Sequence, residues 1–177
     1  MARLAANSMY VEVSMNAWRR QRNRVWLAAG MVAIMSAAGI AQTTDPANGV
    51  WKLDVAKSKF SPGPAPKEMT VTIESAGPGR KVSVAGVDGE GKPIAWGFTG
   101  NFDSKPNRLT GSNPDADLVM LKRLSPTLTR STYKKGTKTT LVNGVSVSAD
   151  GKTLTVASSG VNGAGKTVKN TQVYTKQ

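Results

Sequence analysis

The chain of 177 residues contains no cysteine and no histidine. Without cysteine there are no disulfides and no cysteine-linked lipid anchor. Without both residues, zinc or copper sites built on thiolate and imidazole are excluded. The missing histidine also removes the commonest general base and the serine–histidine nucleophile pair. Chemistry would have to run on carboxylates, Ser, Lys or Tyr, and no spacing assembles such a set. A non-catalytic protein with no cofactor and no metal is therefore expected. Acidic residues are scarce too: 11 Asp and Glu stand against 24 Lys and Arg, a formal net charge of +13. No apolar run reaches the ~20 residues that a membrane-spanning helix needs.

The longest apolar run, about 16 residues from Val25 to Ile40, follows the basic cluster Arg-Arg-Gln-Arg-Asn-Arg at 19–24 and exits through Gly39-Ile40-Ala41. Basic, apolar and small-x-small regions in that order define a secretory signal peptide over residues 1–41. Met15 is an alternative start, which would make residues 1–14 an over-called extension. An uncleaved N-terminal anchor is the competing reading. The expected product is exported, periplasmic or extracellular, and monomeric, with no membrane span once the signal is removed. Residues 42–177 carry 19 Lys and Arg and 10 Asp and Glu, a formal net charge of +9. That balance favours anionic neighbours such as an envelope component, although Lys on strands also guards against edge-to-edge pairing. Nucleic acid is not an expected partner, because no binding motif is present.

After a polar lead-in at 42–50, read as flexible, the pattern is period two. Met69, Val71 and Ile73 alternate with Thr70, Thr72 and Glu74, and Ile94, Trp96 and Phe98 alternate with Ala95, Gly97 and Thr99. Each reads as a strand with one buried face. Further strands are expected at 51–55, 82–84, 118–121, 128–133, 139–147, 153–156 and 168–174, separated by turns rich in Gly, Asp and Asn. Pro62, Pro64 and Pro66 make 56–67 an extended connector, and 101–117 reads as irregular. No helical period occurs after the signal. The expectation is a single all-β domain over 51–177, an antiparallel up-and-down barrel of eight or nine strands whose closure would remove exposed edges.

One stretch points elsewhere. Gly160 to Thr167 reads GVNGAGKT, which fits the phosphate-cradling G-x-x-x-x-G-K-[ST] pattern with Gly160, Gly165, Lys166 and Thr167 at its fixed positions. A phosphate loop needs a helix behind it, and the ten residues after Thr167 are β-prone. The stretch also has a twin. GVDGEGKPI at 86–94 matches GVNGAGKTV at 160–168 with an offset of 74, and carries Pro93 where the hydroxyl should stand. A hairpin loop used twice explains both copies, through Asp-Gly and Asn-Gly turns that accept positive φ. No nucleotide site is expected.

Asn113, Asp115 and Asp117 form either a fragment of an oxygen-ligand calcium site or an Asx turn, and the turn is the simpler reading. The stripe Ile94, Trp96, Phe98 is core or pocket wall, and in a barrel the two share one surface. On parity and size Trp96, Phe98 and Met120 are the candidate wall of a ligand site. Arg130 joins them if it points inward, where it would need an anionic partner.

Gly49-Val50-Trp51 resembles the G-x-W signature on the first strand of lipocalins, and Val173-Tyr174-Thr175-Lys176 resembles the closing strand of fatty-acid-binding proteins. The whole pattern is similar to the calycin superfamily. More closely, Trp51 to Phe60 with the Pro-Gly-Pro stretch, and Asp150 to Val156, resemble a group of uncharacterised exported bacterial proteins of lipocalin-like type. The resemblance implies a barrel with a ligand-binding mouth. It also implies that Trp51 closes one end and packs against a basic residue from the end of the chain, here Lys176. The second lipocalin motif and the two-helix lid of fatty-acid-binding proteins are absent. Three functional readings follow: binding of a small apolar or amphipathic ligand, a basic module contacting an anionic envelope component, or a structural barrel with a filled lumen.

Overall fold

The computed structural model describes residues 45–177, and the expected signal at 1–41 lies outside the described residues. Eleven strands follow in chain order: β1 (Gly49–Leu53), β2 (Glu68–Ala76), β3 (Gly79–Val87), β4 (Pro93–Asn101), β5 (Asp103–Arg108), β6 (Thr110–Ser112), β7 (Leu118–Ser125), β8 (Leu128–Lys135), β9 (Lys138–Val147), β10 (Thr153–Val161) and β11 (Thr167–Lys176). There is no helix among the described residues, so none is long and apolar enough to cross a membrane.

All eleven strands join one sheet in the order β5-β7-β8-β9-β10-β11-β1-β2-β3-β4-β6. Every neighbouring pair is antiparallel, and chain-consecutive hairpins supply most of them. The first and last strands meet through Trp51 opposite Lys176 and Leu53 opposite Tyr174. The two edges of the sheet are β5 and β6, yet Leu109 alone separates Arg108 from Thr110. Edges joined by so short a covalent link lie within about 7 Å of each other. The sheet must therefore curl back on itself into a nearly closed barrel.

The expected eight or nine strands are eleven. Nine coincide with the strands read from periodicity. The other two, β5 and β6, occupy the segment read as irregular. Almost every residue in them is exposed, so they carry no buried face for alternation to reveal. Pro106 sits on an edge strand, where its missing N–H costs no ladder bond. A bulge between Asp103 and Pro106, with Ser104 at φ 61°, further breaks the pattern. Two described residues of the lead-in contact the barrel. Ala47 is buried, and Asp45 is tied by ion pairs to two arginines.

Hairpin turns at 77–78, 126–127 and 148–152 gather at one barrel end with the 45–48 turn. Those at 88–92, 136–137 and 162–166 gather at the other, with the proline-rich connector. The largest fully buried side chains are Trp51, Tyr174, Leu121, Leu154 and Val119.

Candidate functional site

Inward side chains line a cavity of about 660 Å³ that opens at one end, within the range of small-molecule sites. Period-two alternation places its walls. On β3, Val82 and Val84 are buried between exposed Lys81, Ser83 and Ala85. With Val71, Ile73, Trp96 and Phe98 they form an apolar wall across β2, β3 and β4. The opposite wall, on β8 to β11, is mixed: Ser131, Asn143, Ser158, Asn170 and Gln172 face inward among Leu141, Val145, Leu154, Val156 and Val168. Two tyrosines complete it. Tyr133 meets Trp96 edge-on, with ring centroids 6.2 Å apart. Tyr174 donates its hydroxyl hydrogen bond to Gln172 Oε1 at 2.8 Å. Burial raises the pKa of both phenols well above the ordinary value, so both stay protonated and neutral.

Trp51 closes one end. It is fully buried, and its indole N–H donates to the Ala47 carbonyl at 2.7 Å. The Lys176 ammonium stands over its ring, 5.1 Å from the centroid. Beside it lies the only charged cluster inside the barrel among the described residues. Asp45 Oδ2 accepts from Nη2 of Arg80 and from Nη2 of Arg123, each at 2.8 Å. Arg80 is 4 % exposed and also donates to Thr129 Oγ1 at 3.1 Å. The Phe102 ring covers both guanidiniums, at 4.9 Å for Arg80 and 4.0 Å for Arg123. Burial pulls the Arg80 pKa below its ordinary value, with the Asp45 charge acting against it. Arginine nevertheless stays protonated, so the cluster holds two cations and one anion.

At the other end the cavity reaches loops carrying exposed residues. Pro62 and Pro64 of the connector line it there, with Lys92 and Asn162 of the twin glycine hairpins. The phosphate-loop spelling has no free amides between Asn162 and Lys166. Asn162 Oδ1 accepts from the N–H of Ala164 and of Lys166, and Asp115 Oδ1 accepts from Gly163 N at 2.9 Å. In the twin, Asp88 Oδ1 accepts from Glu90 and Lys92. The amides that would cradle phosphate are already spent, and β11 follows instead of a helix. Asp117 likewise accepts from Gly136 N, and Asn113 Oδ1 accepts from Asp115 and Ala116. These side chains cap turns, and no group of three potential metal ligands occurs among the described residues.

Gly160 is held by backbone geometry. Its φ is 145°, and a Cβ there would overlap the Thr140 carbonyl oxygen of the paired strand. Gly160→Ala should cost about 2 kcal/mol or more in urea unfolding, because the conformation is nearly glycine-only and the neighbour is backbone. Lys166→Met should stay within about 0.5 kcal/mol. Magnesium-ATP should leave the unfolding midpoint unmoved, and a rise lost in Lys166→Met would restore the nucleotide reading.

Of the residues expected at the wall, Trp96 and Phe98 line the cavity. Met120 does not. Its neighbours Val119 and Leu121 take the inward positions, and Met120 turns outward opposite Pro106. Leu118 to Leu121 is apolar throughout, so parity alone does not choose a face. Arg130 is exposed, opposite Lys122, while Thr129, Ser131 and Tyr133 turn inward. Two of those three are polar, which disguises the inner face of β8. Arg80, Asp45 and Asn143 escaped the sequence reading. Arg80 shares parity with Val82 and Val84, a usable signal. Asp45 lies in a loop and offers none. No protein-family model matches the chain, and no curated protein is significantly similar to it.

Proposed function

We propose that this barrel is an exported, non-catalytic binding protein that takes a small apolar or amphipathic molecule into its lumen. The observation that carries this reading is the cavity of about 660 Å³ with one apolar wall, closed at Trp51 and bounded by exposed loops at the other end. A purely structural barrel gains nothing from such a space, because each unfilled volume forfeits packing. Catalysis finds no support among the inward polar groups of β8 to β11, where amides, hydroxyls and neutral phenols supply neither a base nor an activated nucleophile.

A neutral dye such as N-phenyl-naphthylamine tests the reading by its fluorescence on transfer from water to the lumen. Trp96→Ala should weaken dye binding about ten-fold, equivalent to ~1.4 kcal/mol. The same change should lower folding stability by only about 1 kcal/mol, chiefly the lost edge contact with Tyr133. An unchanged affinity in a folded variant would remove the cavity as the binding site.

The outward face of β7 and β8 supports a second reading, a basic module against an anionic envelope component. Lys122 and Arg130 stand directly opposite each other there, a like-charge pairing that is costly unless an anion lies across it. Lys134, Lys135 and Lys138 extend the charge, whereas Arg123 is committed to Asp45. Salt separates the two readings: an electrostatic contact fades as ionic strength rises, and dye burial in the lumen does not.

A further inference from the structure

We propose that the outward face of β5, β7 and β8 docks the barrel on an anionic phospholipid bilayer, with its cations on the headgroups and Leu124 in the acyl boundary. This rests on the second reading above and narrows the envelope component to a lipid surface. Strand register sets the pattern. Arg108, Leu118 and Lys134 share one outward rung, Pro106, Met120 and Thr132 the next, and Lys122 and Arg130 the one after. Rungs lie about 7 Å apart along the strands, so cations and apolar side chains interleave across the face.

The cations are open to a partner. Arg108, Lys122, Arg130 and Lys134 form no ion pair among the described residues. The acids beside them are committed elsewhere. Asp103, opposite Lys122, accepts from the Lys105 amide and faces the Lys105 ammonium at 3.8 Å. Asp117 accepts from the Gly136 amide. On the β9 side Arg130 stands opposite Gly144, where even a Cβ would meet nothing within 4 Å. No side chain on that side shields the guanidinium.

Charge alone would suit a soluble polyanion equally well, and the apolar residues decide for a bilayer. Leu124 is 43 % exposed and falls where the β7–β8 register slips between Arg123 and Ser125. A bulge re-aims a side chain, and this one leaves a leucine in water two residues from Lys122. Met120 lies two residues to the other side of Lys122, on the same face and half-buried. A phosphate polymer makes no use of these groups. A lipid surface uses both kinds, with apolar side chains entering the headgroup–acyl boundary and basic ones attracting anionic headgroups.

Sedimentation with phospholipid vesicles tests the proposal. Every comparison is between the wild-type chain and variants sharing its N-terminal segment, so any contribution of residues 1–41 cancels. Phosphatidylcholine vesicles holding about a quarter phosphatidylglycerol should bind the wild type at least about ten-fold better than phosphatidylcholine alone at low salt. Lys122→Gln with Arg130→Gln should weaken that binding roughly twenty-five-fold, since each cation at an anionic surface is worth about five-fold. Leu124→Ser should weaken it about five-fold. Lys52→Gln with Lys169→Gln removes the same charge from β1 and β11 and should weaken it less than about three-fold. Soluble polyphosphate is the second probe, and Leu124→Ser should leave its binding unmoved. Equal binding to both vesicle types, or an equal loss in the two double variants, would overturn the assignment to this face. Vesicle binding unmoved by Leu124→Ser would overturn the bilayer in favour of an anionic polymer and leave the second reading standing. Binding to neither vesicles nor polyphosphate at low salt would overturn the second reading itself.

Discussion

Trp51→Ala should destabilise the barrel by about 3–5 kcal/mol in urea unfolding, the range for deleting a large buried aromatic. Against a total stability of roughly 5–15 kcal/mol for a domain, that loss leaves little margin. Three contacts set the size of the effect. The indole is fully buried, its N–H is used by Ala47, and its ring underlies Lys176. Trp51 also sits on β1, the short strand that joins β11 to β2 and so links the two hairpin series. Its loss would leave a void between β11 and β2 and connect the lumen to solvent at the closed end. Lys176→Met should cost only about 0.5 kcal/mol, since an exposed ammonium over a ring contributes little more. Trp51→Phe should fall between the two, keeping most of the ring area and losing the hydrogen bond. A cost below about 1 kcal/mol for Trp51→Ala would show that the closed end is not held by this residue.

How much of this was legible in the sequence depends on what each residue's neighbours reveal. Ile94, Trp96 and Phe98 declare an inward face because Ala95, Gly97 and Thr99 between them are small or polar. β2 and β3 follow from the same contrast. Where contrast fails, so does the reading. Leu118 to Leu121 is apolar on both faces, and the inner face of β8 is Thr, Ser and Tyr, so parity puts Met120 on the wrong side and leaves the side of Arg130 open. β5 and β6 have no buried face at all, since they are the edges of the sheet. The twin hairpins were legible because repetition stands in for periodicity: one loop solution, with an Asx side chain capping its own turn, recurs at both. The charged cluster was hidden for a different reason. Arg80 and Asp45 lie 35 residues apart, one at the start of a strand and the other in a polar turn; pairing of β1, β2 and β3 brings them together, and closure of the barrel adds Arg123 from β7.

That cluster carries the other large effect. Asp45→Asn should cost about 3–5 kcal/mol at neutral pH, because removing one partner of a buried ion pair strands the other. Here it strands two guanidiniums, of which Arg80 is almost wholly buried. A double-mutant cycle separates the pair from its repulsive remainder. Asp45→Asn combined with Arg80→Gln should cost less than the sum of the single changes, since the buried charge and its counter-charge leave together. Additive costs would mean that the two side chains do not depend on each other. The pH dependence has a definite sign. Burial pushes the Asp45 pKa up, but the hydrogen bond from Arg123, the Arg80 charge and the Ala47 amide outweigh it and hold the folded value below the ordinary 3.8. A carboxyl whose pKa is depressed on folding binds fewer protons in the native state than in the unfolded one. Its stabilisation is therefore fully present above about pH 4 and disappears as pH falls through the folded value. Wild-type stability should drop between pH 5 and pH 2 by more than that of Asp45→Asn, measured as the difference in urea midpoints at the two extremes. Equal drops in both proteins would mean that acid lability comes from other carboxylates and that Asp45 is not the ionised tie between the two arginines.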